Sequence, residues 1–253
     1  MKNKKERIGN FTSSEIAKLM TNGKEKNSFG KPAYTYIAEK NMERKLGQTL
    51  NSSASARPLQ WGTFLESRAF NLLGLEYQLV SQETIGHYAL PFWFGSPDGT
   101  TSDSVIDIKC PYTLKSFCEL VDCKTIDEVR KNCDMGEKYY WQLVSNAILT
   151  EKRFAELIIY CPYKSELEEI RESTQMVDGD QNKLAWINFA EDDDLPYLND
   201  GGYYKNINII RFEIPESDVK KLYERIVEAS KLLINVLTCS ITGNSVEINK
   251  LNV

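Results

Sequence analysis

Apolar positions along the chain repeat with two periods, close to 3.6 and to 2, and their order predicts the elements. Residues 12–22 read as a short helix opened by a capping box, with Thr12 as N-cap and Glu15 three residues on. Residues 32–46 predict a second helix, begun by Pro32 and stopped near Gly47. Trp61 to about Leu73 predicts a third, with Phe64, Leu65, Ala69, Leu72 and Leu73 on its apolar side. The polar stretch from Gly47 to Pro58 reads as a loop. Residues 86–95 and 104–109 read as strands, and helices follow at 113–121, 125–132 and 138–150. Strand-like runs return at 154–160, 184–190 and 206–214, with loops at 173–183 and 191–203. A last helix, 217–237, carries Val219, Leu222, Ile226 and Leu233 at helical spacing. No internal repeat is visible. The order predicts an α/β fold with a central mixed β-sheet flanked by helices.

Composition narrows the class. The chain has 253 residues, 42% hydrophobic and 26% charged, with 31 basic and 36 acidic side chains and a net charge of −5. That is globular composition, enough to bury a core without disulfide staples. It is read as a single domain over 1–253, with N-terminal helices and a loop in 1–60, a core in 61–160, and sheet completion and the last helix in 161–253. No run approaches about 18 apolar residues, so no membrane partner is expected. The basic start, Met1 to Lys5, is followed by no apolar segment and is not read as a signal peptide, which sets the expected location as cytoplasmic.

One histidine, His87, excludes multi-histidine metal sites, and it is read as a strand residue without chemical duty. Metal chemistry would then rest on carboxylates or cysteines. Cys110, Cys118, Cys123 and Cys133 fall within 24 residues but lack the C-x₂-C pairs of zinc sites, and are read as reduced, mostly buried thiols. Cys161-Pro162-Tyr163 marks a strand end and turn. The acidic balance argues against nucleic-acid binding through bulk positive charge.

The most informative segment is Ser96-Pro97-Asp98-Gly99, followed nine residues after Asp98 by Asp107-Ile108-Lys109. Strand alternation puts Asp107 and Lys109 on one face, and the Pro-Asp-Gly turn can bring Asp98 beside Asp107. Two close carboxylates repel unless a cation lies between them. A hard ion such as Mg²⁺ needs only one or two carboxylates, waters and substrate phosphate, and the Ile108 carbonyl can add a ligand. Glu66, on the preceding helix, is a third candidate carboxylate. Lys109 would sit beside the nucleophile. Singly, each motif reads as a turn or a surface ion pair; together they predict metal-assisted phosphodiester hydrolysis.

These motifs resemble the PD-(D/E)XK nuclease superfamily, and within it the lambda exonuclease-like, YqaJ-type viral recombinases. The resemblance runs from Arg7-Ile8-Gly9 and Thr12-Ser13-Ser14-Glu15, through Trp61-Gly62 and Glu66, to the two aspartate motifs and Tyr140-Trp141-Gln142. It implies a restriction endonuclease-like core with Asp98 and Asp107 as metal ligands and Glu66 as an additional carboxylate at the metal. It implies Lys109 as the catalytic lysine and Gln142 lining the active site. Asp107 departs from the glutamate usual in the family. Ser14 lies in a first helical turn, where free N–H groups favour anions, and the resemblance implies that Ser14 and Arg7 hold a DNA 5′-phosphate. The activity implied is Mg²⁺-dependent 5′–3′ digestion of linear double-stranded DNA, with Mn²⁺ as a substitute. The partners implied are DNA ends, a homo-oligomer (a trimer) and a single-strand annealing protein. A structure-specific or nicking endonuclease, or a non-catalytic DNA-end-binding module, stays open.

Overall fold

The structure, a computed structural model, describes residues 7–25, 28–50, 56–80, 84–175 and 181–234. The basic start, residues 51–55 and 176–180 of two predicted loops, and the end of the last predicted helix at 235–237 lie outside these residues. The strands are β1 (Phe11–Thr12), β2 (Gln78–Leu79), β3 (Ile85–Gly86), β4 (Trp93–Gly95), β5 (Gly99–Thr100), β6 (Ser104–Lys109), β7 (Phe154–Tyr160) and β8 (Ile207–Glu213). The α-helices are α1 (Lys31–Leu46), α2 (Arg57–Asn71), α3 (Leu114–Val121), α4 (Ile126–Asn132), α5 (Gly136–Leu149), α6 (Leu167–Thr174), α7 (Gln181–Phe189) and α8 (Glu216–Ser230).

A five-stranded sheet runs β2-β5-β6-β7-β8. Only the central pair, β6 and β7, is parallel, with Asp107 opposite Leu157 and Lys109 opposite Ile159. A parallel pair needs a long crossover, and α3, α4 and α5 supply it. A smaller sheet, β1-β4-β3, stands beside it. Both faces of the central strands are buried, which explains their near-continuous apolar sequence. Val105, Ala155, Leu157 and Ile159 join a cluster with Phe117, Val144, Leu222 and Ile226. Ile106, Ile108 and Ile158 pack on the other face against Trp61, Leu65 and Ala69 of α2. No helix of the described residues is long and apolar enough to cross a membrane.

Several predicted elements differ from the observed ones. Of residues 184–190, 184–189 are helical, as part of α7, and Ala190 lies just past its end. Their apolar run, broken only by Asn188, carries no alternation, so its period does not separate strand from helix. Leu184 and Ile187, three residues apart, are the buried pair, and Trp186 Nε1 donates to Gln60 Oε1 at 2.7 Å. The third helix starts at Arg57, with Pro58 in its first turn, and ends at Asn71; the last ends at Ser230.

The predicted strand 86–95 is split between β3 and β4 by a turn that His87 builds. Its Nδ1 accepts from the Ala89 and Leu90 N–H groups, both at 3.2 Å, and its ring stacks on Trp93 at 4.8 Å. Burial lowers its pKa, which keeps Nδ1 an acceptor. The first predicted helix is a 3₁₀ helix, Ser13–Met20, without a capping box. The Thr12 N–H donates instead to the Tyr36 hydroxyl at 3.0 Å, and Glu15 pairs with Lys18 at 2.6 Å and Lys138 at 3.0 Å.

Candidate active site

β5 pairs with β6 only as far as Gly99 opposite Ile106, so the edge of β6 beyond that point lacks a strand partner on that side. The Asp98 side chain takes that place: its Oδ2 accepts the Ile108 N–H at 2.8 Å, while its own N–H donates to the Ile106 carbonyl at 3.3 Å. The N–H and C=O of one strand residue point to the same side, so the Ile108 carbonyl also faces the Asp98 turn. The carboxylate is thereby fixed at the end of the central sheet.

The next side chain, Asp107, is 1% exposed. Gln142 of α5 donates Nε2 to its Oδ1 at 2.6 Å. Its Oδ2 lies 2.6 Å from Lys109 Nζ as an ion pair. On its other side Lys109 Nζ lies 5.1 Å from the centre of the Tyr139 ring. Burial alone would lower the lysine pKa, but Asp107 and then Asp98 outweigh it and raise it above the ordinary value. The lysine is a cation in this arrangement. Burial, with Glu66 and Asp98 adding, pushes the adjacent Cys110 thiol up, so it stays protonated and inert.

A pocket of about 140 Å³ collects Arg7, Ser13, Ser14, Glu66, Ser96, Asp98, Asp107, Lys109 and Gln142. Every side chain singled out by sequence is therefore here, and Ile108 offers its backbone. Ser13 and Ser96 were assigned no role by sequence, and neither was Tyr139. Ser13 Oγ lies 2.7 Å from Ser145 Oγ, which accepts from Trp93 Nε1 at 2.8 Å, so the 3₁₀ helix is seated on α5. Ser14 Oγ lies 3.4 Å from Thr12 Oγ1. Arg7 Nη2 donates to Ser96 Oγ at 3.1 Å, its buried Nε has no hydrogen-bond partner, and among the described residues it forms no ion pair. Burial lowers its pKa, yet a guanidinium remains charged. A cation held by a hydroxyl and not neutralised by a carboxylate suits an anionic ligand.

Gly95 leads into the Asp98 turn under tight constraint. A Cβ there would stand 2.4 Å from both Ser13 Oγ and Asn146 Oδ1. Gly95→Ala is expected to lower stability by about 1–3 kcal/mol, measured as a lower urea midpoint with an unchanged m-value.

Among the described residues, no three His, Cys, Asp or Glu side chains form a group ready to hold a metal ion. Glu66, Asp98 and Asp107 share the pocket without forming such a group. The donor set still fits a hard divalent cation, because the three acidic side chains of the pocket offer only carboxylate oxygen. Among the described residues, the cysteines offer no rival centre. Cys110, Cys118, Cys123, Cys133 and Cys161 are free thiols; Cys123 and Cys133 lie 4.0 Å apart and both donate to the Glu119 carbonyl.

Residues 3–153 match the YqaJ-like viral recombinase domain. The chain is similar in structure to an alkaline exonuclease, LHK-Exo, from Laribacter hongkongensis, with 18% identity over 89% of each chain and a TM-score of 0.55. It is also similar to LHK-Exo in complex with dAMP, with 19% identity over 92% of each chain and a TM-score of 0.56. A phage-related exonuclease from Haemophilus somnus 129PT gives 15% identity over 88% of this chain and 92% of that one, with a TM-score of 0.59. These likenesses show a shared fold, a mixed sheet flanked by helices. No curated protein matches the chain.

Proposed function

The chain belongs to the YqaJ-like viral recombinase domain family, and from that premise we propose that it is a metal-dependent exonuclease digesting linear double-stranded DNA from 5′ to 3′. The observation that carries this reading is the joining of Asp98, Asp107 and Lys109 at the open end of β6, in one pocket with Arg7 and Ser14. Similar structures named as exonucleases support it.

In this reading Asp98, Asp107, the Ile108 carbonyl and Glu66 hold Mg²⁺, or Mn²⁺ in its place. Such an ion supplies Lewis-acid stabilisation of charge on the phosphodiester and acidifies water. Gln142 fixes Asp107 from the α5 side. Lys109 orients the attacking water and offsets negative charge gathering on the phosphate. Arg7 and Ser14 take the 5′-phosphate of the DNA end, and this sets the register of the strand on the carboxylates. The single strand left behind is a substrate for a single-strand annealing partner, and a ring-shaped trimer would keep the enzyme on its duplex.

The test compares linear with covalently closed circular duplex in Mg²⁺. Degradation of the linear form alone, abolished by chelation, supports the exonuclease; cutting of the circle shows an endonuclease, and end binding without hydrolysis shows a binding module. Arg7→Ala is expected to lower the preference for 5′-phosphorylated over 5′-hydroxyl ends about tenfold, the size of one charge-assisted hydrogen bond. Initial rates on the two labelled ends measure it.

A further inference from the structure

We propose that Tyr139 is a positioning residue that holds Lys109 in place through the face of its ring. The inference rests on reading Lys109 as the lysine of a nuclease site. α5 lies over β6, and residues three apart on a helix face the same way. Gln142 reaches Asp107 at 2.6 Å, and Tyr139, one turn earlier, faces Lys109 Nζ at 5.1 Å. One helical face thus grips both members of the Asp107–Lys109 pair. The neighbours of Tyr139 turn elsewhere: Lys138 pairs with Glu15, the Tyr140 hydroxyl donates to Asp218, and Trp141 Nε1 donates to Glu137.

A lysine needs such a hold because its ammonium is a point charge on a flexible four-carbon stem. Among the described residues, its ion pair is with Asp107, at 2.6 Å. Asp107 is also the carboxylate that would turn toward a metal, which loosens the pair when the lysine must be in place. The attraction of an ammonium to an aromatic face needs no carboxylate and persists through that change. It depends on the ring and not on the phenol hydroxyl, so phenylalanine should serve and an aliphatic side chain should not.

Two readouts on Tyr139→Phe and Tyr139→Leu test this, with Tyr139→Met as a second aliphatic variant should leucine unfold the chain. The first needs no activity: protons over an aromatic face shift upfield in NMR. The Lys109 Cε proton signals are expected upfield in the wild type and the Phe variant, and at their ordinary position in the Leu and Met variants. The second is digestion of linear duplex in Mg²⁺. The Phe variant is expected within about twofold of wild-type kcat, and the Leu variant about tenfold lower with KM unchanged, since misplacement of a reacting group acts on kcat. Equal kcat for Leu and Phe overturns the inference, as does a loss confined to KM or an unshifted lysine signal in the wild type. A shifted signal in a wild type that hydrolyses no DNA supports the packing and overturns the nuclease reading.

Discussion

Lys109→Ala is expected to lower the rate of duplex digestion by about 10²–10⁴-fold, the range of a positioned proton-transfer group. The lysine is the cation within 2.6 Å of Asp107, and Asp98 adds to the field that keeps it charged. Its removal has a second, separable consequence. Asp107, 1% exposed, would be left beside Asp98 without its counter-charge, at a cost of about 3 kcal/mol. A domain of ordinary stability, about 5–15 kcal/mol, stays folded under that loss. The variant should show a lowered Tm in chelator and recover part of it in Mg²⁺, because an ion binding only the native state stabilises by mass action. Wild-type digestion by a folded Lys109→Ala protein would remove Lys109 from the mechanism.

Asp98→Asn is the cleaner probe of the metal reading. An asparagine oxygen can still accept the Ile108 N–H that Asp98 now accepts at 2.8 Å, so the turn and the sheet end should survive. What disappears is the negative charge. Residues that merely orient a metal's ligands cost about 10–100-fold when changed, so losing a ligand's charge is expected to weaken metal binding by more than about 100-fold. Calorimetric titration with Mn²⁺ without DNA reads this directly, and digestion should fall with it. Unchanged titration would move the ion away from Asp98.

The site was legible in sequence because its chemistry is local. Asp107 and Lys109 share a face through strand alternation alone, and Asp98 is one short turn away. Short apolar, β-branched runs located β6 and β7 at their observed bounds, Ser104–Lys109 and Phe154–Tyr160. Gln142 was placed by resemblance, while Glu66, Ser14 and Arg7 were suggested by their chemistry and sharpened by resemblance; the fold gathers all four in the same pocket. Features made by distant partners were hidden. The Thr12 N–H is satisfied by Tyr36 and not by Glu15, and α7 is helical because Leu184 and Ile187 seat it on α2. The contact of Tyr139 with Lys109 joins a helix to a strand that no periodicity relates.

Charge was legible yet misleading. A net charge of −5 reads as unfavourable for a DNA partner, but the pocket's own balance decides the matter. There Lys109 is ion-paired with Asp107, and the half-buried Arg7 donates to the Ser96 hydroxyl and forms no ion pair among the described residues.

The pocket is proposed to hydrolyse a DNA strand from its 5′ end. Linear duplex labelled at one end, with and without a 5′-phosphate, incubated in Mg²⁺ with time points resolved on a denaturing gel, tests it most directly. Mononucleotides released first from the 5′-phosphorylated end, leaving the opposite strand intact, are the predicted result. Release from the 3′ end, internal cuts, or digestion indifferent to the chelation of metal would contradict it.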